Sequence, residues 1–306
     1  MFITRNKNFF LGFTALLTVL ALFAISQFGL KQGIDFTGGS LMEVSYGTAS
    51  TTPAAAARPD VATISAEIEP LGFGGIQVQP VGTDGFLIKT RSLTEPERQA
   101  LLAKLSLGGK ATVEQKQFTS IGPVIGAELR NKSLYAIVIV ILLIMAYITF
   151  AFRKVSHPVA SWKYGLIAII TLVHDVIIPA GLYAIYGHYT GAEFDVLFVT
   201  AILAILGFSI HDTIVVFDRV RENLRHASAK EPFAETVGKS LSQTFTRSIN
   251  TSLTVIITLL VLYFVGGEST RHFALLLVVG IVAGTYSSLF FASPLLVEFE
   301  RLQKKR

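Results

Sequence analysis

Two aspartates and an arginine stand inside stretches that are otherwise apolar, and their setting limits the chemistry open to this chain. Asp175 follows His174 within the apolar run Tyr164–Tyr186, and Asp212 follows His211 within Val196–Phe217. Arg247 opens the run Ser248–Gly267. An ionised side chain in hydrocarbon costs at least ~2.5–3.5 kcal/mol on insertion scales, so such groups normally face the inside of a bundle and serve a function. Arg247, Thr251, Thr254 and Thr258 recur at helical spacing as one polar stripe, and Ser209, Asp212 and Thr213 form a matching patch on the run before. The two runs are antiparallel, which puts Asp212 and Arg247 at similar depth, where they can pair. Desolvation opposes charge on Asp212 while Arg247 favours it, and that competition suits a group that takes up and releases protons. His211 supplies a further titratable group for a relay. The plainer reading is a static ion pair fixing helix register, although a buried pair is weak evidence for stability. For His174 and Asp175, a structural hydrogen bond between helices and a secondary polar site stand level.

The elements that must hold these groups follow from composition. Hydrophobic residues make up 51% of the 306-residue chain and charged residues 15%, against about 25% charged in an ordinary soluble domain. Mean hydropathy is +0.57. A hydrocarbon core ~30 Å thick asks for about 20 apolar residues per helix. Asn8–Leu30, Ser133–Phe152, Tyr164–Tyr186, Val196–Phe217, Ser248–Gly267 and Phe273–Val297 meet that demand, the third and fourth carrying the internal ionisable pairs. Six transmembrane helices are therefore expected. With no cysteine, disulfides, zinc-thiolate sites and thiol nucleophiles are excluded. The net charge of +5 is spread over membrane edges and not gathered in one patch, which argues against a nucleic-acid partner. No metal-ligand spacing is visible. Gly280, Gly284 and Ser288 have small-xxx-small spacing and predict close packing of the last helix. Asp218, Arg219, Arg221, Glu222 and Arg225 read as a solvated helix end.

Basic residues in short loops set the orientation. Arg5 and Lys7 precede the first run. Arg153, Lys154 and Lys163 lie between runs two and three, and Arg219, Arg221, Arg225, Lys230 and Lys239 between four and five. Arg301, Lys304, Lys305 and Arg306 close the chain, whereas Gly187–Asp195 has no Lys or Arg and Glu268–His272 only Arg271. Both termini are thus expected in the cytoplasm, and the first run, lacking a small-x-small cleavage site, reads as an uncleaved anchor. The expected division is 1–30 as N-terminus and first helix, 31–132 as an extracytoplasmic domain, 133–297 as the remaining bundle, and 298–306 as a basic tail. Within 31–132, Ser40–Tyr46 is strand-like, Thr51–Ala57 a loop, and Val61, Ile64, Ile68 and Leu71 have helical spacing. Ile76–Val81 and Gly85–Thr90 alternate like a hairpin across Gly82-Thr83-Asp84. Thr94-Glu95-Pro96-Glu97 has capping-box spacing ahead of Leu101, Leu102 and Leu105, and Ala111–Phe118 reads as a last strand. The order βαββαβ predicts a ferredoxin-like α+β domain, with no carboxylate pair or nucleophile set in it: a binding or force-transmitting module.

Several of these stretches resemble one family. Gly33-Ile34-Asp35-Phe36-Thr37-Gly38-Gly39 and Ile121-Gly122-Pro123-Val124-Ile125-Gly126-Ala127-Glu128-Leu129 are similar to the signatures flanking the large loop of the SecF family of protein-export membrane proteins. His174-Asp175-Val176, Gly207–Asn223 and Thr246–Ser252 resemble three more, in order and over nearly the whole chain. His211 stands where the family pattern has Asn, and Ser248 where Thr is common. The resemblance implies a bundle of the RND superfamily in the cytoplasmic (inner) membrane, completed by a SecD partner. It implies use of the proton-motive force, with sodium as the alternative ion and no cofactor, to complete translocation of unfolded exported polypeptides through SecYEG after SecA has driven insertion. Asp212 and Arg247 match the family's proton-pathway positions. Two other classes stay open on the residues alone. One is RND-type proton-coupled efflux of small hydrophobic molecules, which usually needs larger periplasmic domains. The other is an intramembrane aspartyl protease, disfavoured because neither Asp175 nor Asp212 lies in a Gly-x-Gly-Asp setting. No enzymatic activity is expected.

Overall fold

The computed structural model describes residues 2–47, 58–109, 111–153, 159–228 and 231–304. The expected loop Thr51–Ala57 and the basic residues Lys154, Lys230, Lys305 and Arg306 fall outside these. In chain order the elements are α1 (Phe2–Arg5), α2 (Lys7–Phe28), α3 (Ile34–Thr37), β1 (Gly39–Tyr46), α4 (Val61–Ile68), β2 (Gln77–Val81), β3 (Gly85–Thr90), α5 (Glu95–Leu105) and β4 (Val113–Ile121). The long helices α6 (Pro123–Ala151), α7 (Ser161–Thr190), α8 (Val196–His226), α9 (Phe233–Val265) and α10 (Glu268–Ser287) follow, and a π-helical turn over Ser288–Ala292 leads into α11 (Ser293–Lys304). The chain divides into two units, Met1–Lys31 with Leu134–Arg306, and Gln32–Ser133.

In the first unit, six helices are long and apolar enough to cross a membrane. This is a multi-pass membrane protein with a six-helix bundle. More than half of the apolar window is buried in α7, in α8 and in α10 with its continuation (56% each), against 11% in α2, 6% in α6 and 17% in α9. The first three therefore form the centre and the other three the periphery. Glycines set how closely the centre packs. A side-chain carbon at Gly181 would lie 2.7 Å from the backbone of Ala21, and one at Gly284 would lie 2.9 Å from Ser209 Cβ. Gly280 meets Ile205 the same way, so the small-residue stripe lays α10 against α8. Around these contacts Tyr164, Ile167, Leu172, Leu206, Val216 and Phe217 are fully buried.

Helix ends differ from the apolar windows in one respect that matters for the site. The α8 helix starts where expected, its N-cap Asp195 accepting from the Phe198 amide at 2.8 Å, but it runs on to His226. The α9 helix begins at Phe233, well before Ser248. Helical hydrogen bonding continues into polar sequence because Arg219 Nε bonds Gln243 Oε1 (2.7 Å) and Asn223 Nδ2 bonds Ser240 Oγ (2.8 Å) across the two helices. Asp212 and Arg247 thus lie near helix middles and not near helix ends. Likewise the expected tail 298–306 is helical as far as Lys304.

The second unit is a four-stranded antiparallel sheet in the order β2-β3-β1-β4, with β3 inserted between β1 and β2. That is the split βαβ arrangement of a ferredoxin-like domain. Met42, Val44, Tyr46, Phe86 and Ile88 alternate onto one sheet face and pack against Ile64 and Ile68 of α4 and Leu101 and Leu105 of α5. The last strand runs from Val113 to Ile121, further than its alternation indicates, because it pairs with the full length of β1, Gly39 opposite Ile121. The capping box at the start of α5 forms: Glu97 Oε2 accepts from both the Thr94 amide and the Thr94 hydroxyl at 2.8 Å.

Two surface carboxylates make the domain acid-sensitive. Hydrogen bonds from Arg91 and from the Thr94 cap hold Glu97 at about 2, and hydrogen bonds from Arg98 and Gln99 hold Glu95 at about 2, below the ordinary 4.5. A group lowered on folding adds stability above its unfolded value and loses it as pH falls through its folded value. Thermal unfolding of the Gln32–Ser133 fragment should therefore hold its midpoint above pH about 4.5 and lose it as pH falls toward about 2. Glu97→Gln should flatten that acid limb.

Candidate functional site

A carboxylate at the centre of the bundle ties three helices together. Asp175 on α7 is completely buried. Its Oδ2 accepts from Ser209 Oγ of α8 and from Ser287 Oγ of α10, the latter at 2.8 Å, and its Oδ1 lies 2.8 Å from His174 Nδ1. The imidazole of His174 packs on the ring of Phe291, and its Nε2 is buried without a hydrogen-bond partner. Asp175 thus bonds across helices, while His174 bonds it within α7. This also reassigns Ser209, which serves Asp175 and not Asp212.

The expected pair of Asp212 with Arg247 does not form. Asp212 is buried, Arg247 is exposed, and no ion pair joins them among the described residues. The reason is helical phase. Successive residues turn about 100° around a helix, and the face that α9 lays on its neighbours is Thr244, Ser248 and Ser252, all buried. Ser248 therefore meets Asp212, and Arg247, one residue earlier, points to the side. Asp212 Oδ2 and Ser248 Oγ are both buried without a hydrogen-bond partner. The rest of the predicted stripe shares the phase of Arg247: Thr254 and Thr258 are exposed and Thr251 half-buried, each bonded back to its own helix. His211 is exposed on α8. The polar stripe is thus an outward face of this chain, not a lining of its interior.

A cleft of about 370 Å³ opens between α6, α8 and α9, lined by Tyr147, Phe152, Asp218, Arg219, Thr244 and Arg247. Further along the α9–α10 contact, Ser252 and Thr285 share a hydrogen bond at 2.5 Å. Sequence reasoning passed over Ser248, Ser252, Thr285 and Ser287 as chemistry. Two signals were available: the i, i+4 recurrence of hydroxyls at 244, 248 and 252, and the cluster Thr285-Tyr286-Ser287-Ser288 within an apolar span.

The two glycine signatures of the Gln32–Ser133 unit interlock. Gly38 has φ +76°, and a side-chain carbon there would lie 2.7 Å from Pro123 Cα. One at Gly126 would lie 2.8 Å from the Gly38 amide nitrogen and 3.1 Å from the Phe36 carbonyl. At Gly39, with φ +142°, an added side-chain carbon would lie 2.8 Å from the Thr90 carbonyl oxygen. These residues are backbone joints, with no reacting groups. Asp35 lies in the single turn α3, and Glu128 is an exposed partner of Lys132 at 2.7 Å.

Comparison with known proteins assigns the lineage. Residues 103–302 match the profile described as protein export membrane protein SecD/SecF, C-terminal, and residues 23–49 match the SecD/SecF GG motif. The chain belongs to the SecD/SecF family. Protein translocase subunit SecF of Thermobaculum terrenum is 43% identical over 302 residues, covering 97% of this chain and 93% of that protein. Protein translocase subunit SecDF of Thermus thermophilus is 36% identical over 301 residues, covering 95% of this chain and 37% of the relative. A crystal structure of SecDF from Thermus thermophilus, described as a translocon-associated membrane protein, superposes with a TM-score of 0.80 at 33% identity, over 99% of this chain and 38% of that one. A SecDF structure in a super-membrane-facing form gives a TM-score of 0.67.

Within this SecD/SecF chain the GG motif is thus the half of a joint whose other half is Gly122–Gly126. Gly126→Val should force the Phe36–Gly38 backbone away from α6 and lower the thermal midpoint of the domain. Gly122→Ala, with nothing within 4 Å of the added carbon, should leave it nearly unchanged.

Proposed function

We propose that this chain is the SecF-like subunit of a SecDF complex that uses the proton-motive force to promote polypeptide translocation through the Sec translocon. The observation that carries the reading is Asp212: a carboxylate buried in the middle of α8 with an unpartnered oxygen, facing Ser248 of α9 and without an ion pair among the described residues. A finished structural ion pair would have its oxygens engaged. The sequence family supports the export role, since its relatives are named translocase subunits.

The outward stripe supports a partner chain. Arg247, Asn250, Thr254 and Thr258 are exposed on α9 at a depth where lipid would surround them. An arginine facing hydrocarbon costs ~2.5–3.5 kcal/mol, and cover by polar helices of SecD removes that cost. In the fused SecDF relative both halves share one chain, and this chain aligns with 37% of it. The basic loops support an orientation with both termini in the cytoplasm and Gln32–Ser133 outside it, where emerging polypeptide is handled. SecYEG and the unfolded exported chain are the implied partners, with SecA acting earlier.

In this mechanism a proton reaching Asp212 cancels the charge that Arg247 of the neighbouring helix attracts. The α8–α9 contact then relaxes through the loosely held Asp212 and Ser248, and the neutral state is the one that moves. One charge crossing ~100 mV is worth ~2.3 kcal/mol, enough to bias a two-state element. The difference between the two solved SecDF forms in likeness to this chain agrees with a fold that has more than one arrangement. The test is export into vesicles holding this chain with SecD, under proton and sodium gradients imposed separately. Proton gradients should stimulate export, and Asp212→Asn and Arg247→Met should each abolish the stimulation while SecD still co-purifies. Stimulation that survives either substitution, or that follows sodium alone, overturns the reading.

A further inference from the structure

We propose that the cleft between α6, α8 and α9 is a binding site for one anionic phospholipid, its phosphodiester held by Arg247 with Arg219 and Arg221. The inference goes beyond the proton mechanism and rests only on the orientation proposed above, which puts this end of the helices at the cytoplasmic surface. The lining of the cleft is the starting point. Its volume of about 370 Å³ falls within the ~300–1,000 Å³ of small-ligand sites. Tyr147, Ala151 and Phe152 of α6 and Ile214 and Val215 of α8 make an apolar wall. Asp218, Arg219, Arg221 and Glu222 continue that wall into polar sequence. The apolar run of α8 ends at Phe217 and that of α9 starts after Arg247, so the cleft straddles the level where hydrocarbon gives way to headgroups. Lipid can reach it, because α6 and α9 are among the least covered spans and Tyr147 in its wall is 60% exposed.

Charge selects the occupant. Three guanidiniums meet two carboxylates in the lining. Each carboxylate already has an arginine of its own helix: Arg219 Nη1 is 2.5 Å from Glu222 Oε2, and Arg221 Nη2 is 3.3 Å from Asp218 Oδ1. Arg247 has neither an ion pair nor a side-chain hydrogen bond among the described residues. One positive charge is therefore left over at the edge of an apolar wall. An anionic phospholipid brings the complement, one phosphodiester attached to acyl chains. Guanidinium matches phosphate oxygens in bidentate fashion, so Arg247 gains more from this partner than from water. The Arg219 and Arg221 pairs are partly exposed and of the kind that contributes little, so both side chains can turn toward the phosphate at small cost. Basic pockets between spans on the cytoplasmic side, next to a leaflet that holds anionic lipid, are where such headgroups bind. A zwitterionic lipid would add an ammonium to a site already in positive excess. Asn250, Thr254 and Thr258, further into the span, do not line the cleft and remain for SecD.

Native mass spectrometry tests the proposal on the full chain, delipidated in detergent and then given phosphatidylglycerol, phosphatidylethanolamine or inorganic phosphate. The wild type should retain phosphatidylglycerol in preference to phosphatidylethanolamine, and inorganic phosphate should not displace it. Arg247→Gln should weaken that retention roughly tenfold or more, the loss expected for one charge-assisted contact. Val215→Trp should also weaken it, by filling the apolar wall while leaving every charge in place. Lys239→Gln removes an exposed cation of α9 outside the cleft and should leave retention unchanged. Equal retention of the two lipids by the wild type overturns the inference, as does retention that survives both Arg247→Gln and Val215→Trp. An equal loss in Lys239→Gln would mean unspecific attraction to a basic surface, and displacement by inorganic phosphate would mean a free-phosphate site; either also overturns it. None of these readings involves a gradient, so a failure of proton-driven export leaves the inference standing. The orientation is checked separately by labelling a Lys239→Cys chain, which has no other cysteine, from one side of sealed vesicles.

Discussion

Inside a bilayer a polar atom has no water to fall back on, so each must find its partner within protein. Asp175 is where this constraint acts hardest, and the arrangement of the bundle follows from meeting it. Hydrogen-bond partners arrive from His174 on its own helix, from Ser209 on α8 and from Ser287 on α10. For two hydroxyls to reach one carboxylate oxygen, α8 and α10 must come unusually close, and Gly284 opposite Ser209 makes that approach possible. The same three helices bury the largest share of their apolar windows. The polar clasp and the close packing are two sides of one geometric requirement.

The second carboxylate is treated differently. Asp212 is buried, but one of its oxygens and the facing Ser248 hydroxyl are left unengaged. Further along the same helices the chain stops being self-sufficient: the cleft opens, α6 and α9 are largely uncovered, and hydroxyls line an outward face. A bonded carboxylate on α7 near an incompletely bonded one on α8 is an arrangement in which one holds the architecture while the other remains free to respond.

Much of this was legible in the residues. Six apolar windows, the βαββαβ order and the capping box at Thr94 need only local periodicity, and each has its counterpart in the structure. Pairing across helices was harder to read. Residues 247 and 248 differ in direction by about 100°, and composition favoured the arginine as the partner of Asp212, while packing selected the serine. The same blindness hid Ser287, because a hydroxyl in an apolar span ordinarily bonds back to its own helix, as Ser252 and Thr258 do. Helix ends were misjudged where hydrogen bonds between side chains, such as Arg219 to Gln243, carry α8 and α9 past the apolar windows. The glycine joint was visible as motif but not as geometry, since its halves are separated by the whole α+β domain.

The π-helical turn at Ser288–Ala292 has a consequence for the last helix as a whole. A π turn bonds i to i+5 and so accommodates one residue more than an α-helical turn would, which rotates everything after it by about 100°. On one side of it Ser287 is aimed at Asp175; on the other, Glu298 is aimed at Lys7, 2.5 Å away. A regular helix through this stretch would align one of those contacts and swing the other aside. The extra residue acts as a phase shifter, letting one helix answer to two neighbours that ask for different rotations. Loss of a single residue within the turn would leave the length of the span almost unchanged and set its two halves at odds.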